Sequence, residues 1–231
     1  MAQQETIQLE AFNTDLVGSR VLCQGPFISG KYPPLMEHIQ QLRNPFKKKI
    51  LLSNVSFHLC KYLPLQYDAT FQVKDSQDWT LILTYITYAP KPLLVVAEDI
   101  TVPDGVWNKL NRTTTFVNFS NSPITQLARL QPYDTIFFGP IEEMNTTFVD
   151  YTYKVLQAMY RSNYTLNEHK DILNELRVAS AGIVWTRMNE ERSNGAVYWY
   201  DPMEVSQGDR LSSKQMSELF RFLSDQYKRD D

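Results

Sequence analysis

Gly25-Pro26-Phe27-Ile28-Ser29-Gly30-Lys31-Tyr32 is the stretch on which the reading of this chain turns. Residues 19–24 ahead of it are a short apolar strand candidate. Residues 33–43 behind it carry Leu35, Ile39 and Leu42 at helical spacing, with Pro33 and Pro34 suited to a first turn. The order is strand, glycine loop, helix. Glycines let such a loop curl until several backbone N–H groups converge on an anion, and a lysine at its end can neutralise phosphate charge. Further along, Leu93-Leu94-Val95-Val96-Ala97-Glu98-Asp99 is an unbroken aliphatic run that stops at two acids. That is the pattern of a strand buried on both faces of a parallel sheet.

Working outward, the same alternation recurs. Strands are expected over residues 49–52, 92–97, 114–119 and 133–138. Helices are expected over 75–88, where Trp79, Ile82, Leu83 and Ile86 share a face, and over 104–110, capped by Asp104. Two more follow over 146–161 and 166–179, the second opened by Thr165 with Glu168 three residues on, a capping-box spacing. Residues 183–186 and 196–200 read as a hairpin, and residues 212–228 as an amphipathic C-terminal helix with Met216, Leu219, Phe220, Leu223 and Tyr227 on one stripe. Strands alternating with helices predict an α/β fold: a mostly parallel sheet with helices on both faces, ending in the hairpin and helix. With no Gly/Ser/Pro linker, residues 19–231 read as one domain and residues 1–18 as an N-terminal arm.

Composition narrows the function classes. Of 231 residues, 43% are hydrophobic and 21% charged, as in a globular chain and unlike a disordered one. A net charge of −3 excludes a general basic field for duplex DNA, so nucleic acid is not the expected partner. The most apolar window, residues 79–97, is cut by Pro90, Lys91 and Pro92, so no transmembrane segment is expected. Without a basic, then apolar, N-terminal leader, cytoplasmic synthesis is expected and the Asn-x-Ser/Thr triplets at Asn54, Asn111, Asn118, Asn145 and Asn163 read as unused. Cys23 and Cys60 are too few for a disulfide framework and read as buried thiols.

Residues 25–32 resemble the Walker A loop of the P-loop NTPase superfamily, GxxxxGK, with Tyr32 in place of the usual Ser or Thr. Residues 93–99 resemble its Walker B strand. The resemblance implies a P-loop-like or other doubly wound fold. If a nucleotide binds, Gly25, Gly30 and Lys31 cradle the phosphates, Glu98 or Asp99 organises Mg²⁺ and water, and the cofactor is ATP or GTP with Mg²⁺. It also places a polar sensor residue at Asn118 or Asn121. Three departures weaken the chemistry. A tyrosine oxygen sits too far from the backbone to replace the small magnesium-binding hydroxyl, Pro26, Pro33 and Pro34 remove N–H donors, and the first acid follows an alanine.

No other catalytic pattern competes. His38, His58 and His169 stand apart with no metal-ligand spacing, and neither GxSxG nor GxGxxG occurs. Glu142 and Glu143 sit after a buried strand at the edge where α/β sites gather, and Lys47, Lys48 and Lys49 read as a solvated strand edge. The expected role is therefore non-enzymatic. The reading is a structural or assembly subunit without a bound cofactor, built on a decayed nucleotide-binding scaffold. It would be held to other protein subunits by the C-terminal helix and by aromatics of the hairpin, Trp185, Tyr198, Trp199 and Tyr200. Such a chain is compatible with a minor capsid or other virion component of a large double-stranded DNA virus. The alternative is a working nucleotide-binding protein or NTPase using residues 25–31.

Overall fold

A computed structural model describes residues 10–12, 15–24, 46–54, 67–75, 77–120, 124, 126–139, 146–160, 165–178, 182–187 and 196–200. Nine strands form one sheet: β1 (Glu10–Ala11), β2 (Arg20–Gln24), β3 (Lys48–Ser53), β4 (Ala69–Gln72), β5 (Leu93–Glu98), β6 (Thr114–Ser120), β7 (Thr135–Phe138), β8 (Gly182–Thr186) and β9 (Ala196–Tyr200). Their spatial order is β1-β9-β8-β7-β2-β6-β5-β3-β4. Six of the eight pairings are parallel; only β7 with β8 and β8 with β9 are antiparallel. The expected mostly parallel α/β sheet and the terminal hairpin are both present.

Among the described residues the α-helices are α1 (Asp78–Tyr88), α2 (Asp104–Trp107), α3 (Thr146–Tyr160) and α4 (Leu166–Val178). In a strand successive side chains alternate, so register partners across a parallel sheet share a face. Leu52, Ala97, Asn118, Leu22 and Ile136 form one such row. Against that face pack Trp79, Ile82 and Ile86 of α1, Trp107 of α2, Val155 and Leu156 of α3, and Leu173 of α4. The opposite face, with Val21, Cys23, Val96, Val117 and Phe119, is met by Leu16 and Phe46 among the described residues. The two helices expected over residues 33–43 and 212–228 lie outside the described residues.

Local chemistry accounts for the element ends. The capping box of α4 is formed: Glu168 accepts from the Thr165 N–H, and the Glu168 N–H donates to Thr165 Oγ1 at 3.3 Å. Helix α1 begins where Asp78 accepts the backbone N–H groups of Lys74 and Asp75, at 2.7 and 3.2 Å. These donors hold its carboxyl below the usual range. The helix ends at Ala89, before Pro90. Asp104, expected as a cap, is instead the first residue of α2. Pro103 holds the cap position and makes no side-chain cap hydrogen bond.

Two strands were not foreseen. β4 is a four-residue edge strand whose register on β3 is pinned by Asp68, which accepts from Lys48 Nζ and from the Lys49 N–H, both at 2.8 Å. β1 pairs with β9 and falls within the stretch expected as an arm; the neighbouring Leu16 is buried at 1% exposure. The hairpin's aromatics divide between the two faces of the sheet. Trp185 is buried, Trp199 packs against one core and Tyr198 against the other, with its ring 6.0 Å from Phe12. Tyr198 and Trp199 are half-buried, and β1 flanks β9 on its outer side.

Candidate functional site

β2 lies between β6 and β7, while its own chain continues to β3, three strands away on the β6 side. The strand order therefore reverses at β2, and in open α/β sheets ligands bind outside the carboxyl ends of strands at such a switch point. β2 ends at Gln24, the residue before Gly25. The expected phosphate-loop residues Gly25, Gly30 and Lys31, and Tyr32, lie outside the described residues, as do Asn121, Glu142, Glu143, His38, His58 and Cys60.

The acids at the end of β5 reach the same edge. Glu98 is the strand's last residue, 6% exposed, in register with Ser53 on β3 and Phe119 on β6. Phe119 is in turn in register with Cys23, so Glu98 and Cys23 share a face two strand spacings apart, about 10 Å. Asp99 adopts a left-handed conformation, φ 50°, tolerated by Asp more readily than by most residues. Its N–H donates to the Phe119 carbonyl at 2.7 Å, and its carbonyl accepts from Asn54 Nδ2 at 2.9 Å. The turn thus fixes where β5 ends, leaving Glu98 buried and Asp99 half-buried. Among the described residues no three His, Cys, Asp or Glu side chains gather as a metal cage. Two consecutive carboxylates suit the mode in which phosphate oxygens and water complete a magnesium shell.

A polar cluster beneath this edge was not legible in the sequence. Gln24 is buried and its Oε1 accepts from the Tyr151 hydroxyl of α3, which also contacts the Ile124 carbonyl at 3.2 Å. The Gln24 carbonyl accepts from the Gly139 N–H at 3.0 Å, where Gly139 has φ 100°. Asn118, two residues below the end of β6, is likewise buried; its Nδ2 donates to Ile100 O at 3.2 Å and to Tyr133 Oη at 2.9 Å. Burial pushes the Tyr133 hydroxyl up to about 12 and raises that of Tyr151 as well, so both stay protonated. The sensor role the resemblance gave to Asn118 meets a side chain whose Nδ2 is engaged inside the core, on the face opposite Glu98.

The remaining sequence candidates lie elsewhere. His169 on α4 is fully buried against α3, 2.8 Å from Thr152 Oγ1, and burial lowers it to about 4. Cys23 is a buried thiol pushed well above its ordinary range, as expected. Lys48 is paired with Asp68 at the far edge of the sheet. Asp134, Arg20 and Arg187 form a knot at the amino end of β2, where Asp134 accepts from the Arg20 N–H at 2.9 Å and from Arg187 Nε at 3.1 Å. It sits at the opposite edge from Glu98.

No family model matches the sequence, and no curated protein matches it. Among solved structures the chain is similar to B204, the DNA-packaging ATPase of Sulfolobus Turreted Icosahedral Virus, with TM-score 0.53 and 8% identity over 80% of this chain and 98% of that one. It is similar to the genome packaging NTPase B204 of Sulfolobus turreted icosahedral virus 2 in complex with ATP-gammaS, with TM-score 0.51, 8% identity and the same coverage. It also overlays on EssC (ATPases 2 and 3) from Geobacillus thermodenitrificans, with TM-score 0.50 and 11% identity, covering 93% of this chain and 45% of that one. At such identities the likeness is one of fold alone: the chain shares with these ATPases a mostly parallel α/β sheet flanked by helices.

Proposed function

We propose that this chain is a nucleotide-binding protein of the packaging-ATPase kind, with residues 25–31 at the phosphates and Glu98 as the acid facing the attacking water. The observation that carries the reading is the placement of Glu98. It is a carboxylate buried at the carboxyl end of a central strand, one strand removed from the strand that runs into the glycine loop. Burying an ionisable group costs stability, and such groups gather where chemistry needs them. Gly25 and Gly30 would let the backbone N–H groups converge on the phosphates, and Lys31 would neutralise their charge. Mg²⁺ would be held by the phosphates, water and Glu98 or Asp99, one protein oxygen short because Tyr32 replaces the hydroxyl residue. Overlap with nearly the whole length of a DNA-packaging ATPase supports assigning the work to this fold alone.

The test is a thermal-shift titration with ATP and GTP, with and without Mg²⁺, beside Lys31→Ala, followed by phosphate release with and without duplex DNA. A ligand at a hundredfold excess over its Kd is expected to stabilise the protein by about 2.7 kcal/mol, an effect lost in Lys31→Ala. DNA-stimulated release completes the packaging reading. No shift at millimolar nucleotide overturns it.

A second reading has its own support. Tyr32 and Ala97 stand where the Walker A hydroxyl and an acid directly after the aliphatic run would be, which favours a chain that has kept the scaffold and lost turnover. Such a chain would serve as a non-enzymatic assembly subunit, in a virion if its source is viral. Binding without phosphate release, or neither, together with stable association with other subunits, would favour it.

A further inference from the structure

We propose that a single buried water molecule bridges Gln24 on β2 and Asn118 on β6, joining the end of the loop-bearing strand to the Asn118–Tyr133 pair. Gln24 Nε2 is a buried donor and Asn118 Oδ1 a buried acceptor, and neither has a hydrogen-bond partner among the described residues. Both side chains are almost completely enclosed, Gln24 at 3% and Asn118 at 2% exposure. They face the same way: Leu22 is the register partner of Asn118, and Gln24 lies two residues beyond Leu22 on the same face. Strand spacing and rise put their Cα atoms about 8 Å apart, a gap that a glutamine, one water and an asparagine span.

The other ends of both amides are fixed. Gln24 Oε1 is taken by the Tyr151 hydroxyl, and Asn118 Nδ2 by Ile100 O and Tyr133 Oη. The orphan atoms are thus of opposite sense, one offering a hydrogen and the other a lone pair, and water is the smallest molecule that serves both at once. Tyr133 supplies a third partner, because its oxygen already accepts from Asn118 and its own hydrogen remains to be donated. Buried waters in proteins make about three such bonds. Leaving two enclosed polar atoms unpaired costs more than immobilising one water, so the hydrated arrangement is the stable one. The result is a continuous polar chain, Ile124–Tyr151–Gln24–water–Asn118–Tyr133, beneath the candidate site. It holds whether or not residues 25–31 bind nucleotide.

The experiment is a crystal structure of the full chain at a resolution that shows ordered water, beside a double-mutant cycle with Gln24→Met and Asn118→Leu. A single density peak within hydrogen-bond distance of Gln24 Nε2 and Asn118 Oδ1 is expected, and it should vanish in Gln24→Met. The two melting-temperature losses should be clearly less than additive, since either change alone already expels the shared water. A protein atom in the gap, a direct Gln24–Asn118 bond, or a dry space overturns the proposal, as do additive losses. If Asn118→Leu does not fold, side-chain amide NMR of the unaltered protein decides it. A Gln24 amide cross-peak to long-lived water supports the bridge, and its absence in the folded protein rejects it.

Discussion

Gly18 shows how much a single residue can decide. It lies in the turn before β2 with φ 79°, and its N–H donates to Thr115 Oγ1 at 2.8 Å. A Cβ there would stand 2.2 Å from the Arg112 carbonyl oxygen, a backbone atom that cannot swing away. Gly18→Ala is therefore expected to cost about 2 to 3 kcal/mol, through a strained φ and a forced shift of the β2 entry, read as a lower midpoint in urea. An unchanged midpoint would mean that the turn repacks freely. None of this was legible in the sequence, where Gly18 is one of 8 glycines and its hydrogen-bond partner Thr115 lies 97 positions away. Residue pairs such as Gln24 with Tyr151 were hidden for the same reason: the contact depends on the register of β2 against α3, which no local pattern encodes.

Elements were far more legible, because periodicity is a local property. The run at residues 92–97 announced a strand covered on both faces, and β5, one residue later at Leu93–Glu98, is buried at all six positions. Trp79, Ile82 and Ile86 announced α1, and Thr165 with Glu168 announced the start of α4. β4 escaped because its four residues, Ala69 to Gln72, lie on a half-exposed edge without the apolar alternation of an inner strand. Thr165→Ala removes one half of the capping box and is expected to lower stability by about 1 kcal/mol, visible as earlier melting, whereas Thr165→Ser should be nearly silent. The α3–α4 contact carries a pH dependence. Burial holds His169 neutral, at about 4 against 6.5 in the unfolded chain, so between those values the unfolded state binds a proton that the folded state does not. Stability is then full above about pH 6.5 and falls as pH drops towards 4, by on the order of 2 kcal/mol. His169→Gln, which can still bond Thr152, should flatten that slope in a series of melts. A slope as steep as that of the unaltered protein would assign it to other groups.

At the scale of the whole molecule, what the sequence could carry was the order of strands and helices. Register then brings the two ends of the candidate site to one edge. The resemblance at residues 25–32 and 93–99 supplied the two halves, and the β2-β6-β5 register sets Gln24, the last described residue before the first half, and Glu98 of the second on strands two spacings apart. A site serving chemistry and an acid serving only to anchor the sheet respond differently to one substitution, Glu98→Gln. The amide keeps the shape and loses the charge. If Glu98 is present for function, its enclosed carboxylate is a cost the fold tolerates, so the variant should melt no lower than the unaltered protein, or a few degrees higher. Nucleotide-dependent stabilisation should survive, since the proposed site holds the phosphates through residues 25–31, while phosphate release falls by at least tenfold. If Glu98 instead anchors the β5 turn, the variant melts lower with or without nucleotide, because a charged hydrogen-bond acceptor in the core has been replaced by a weaker one. Melting curves of Glu98→Gln against the unaltered chain, each with and without ATP and Mg²⁺, separate the two, and a lower melt with unchanged phosphate release would remove Glu98 from the chemistry.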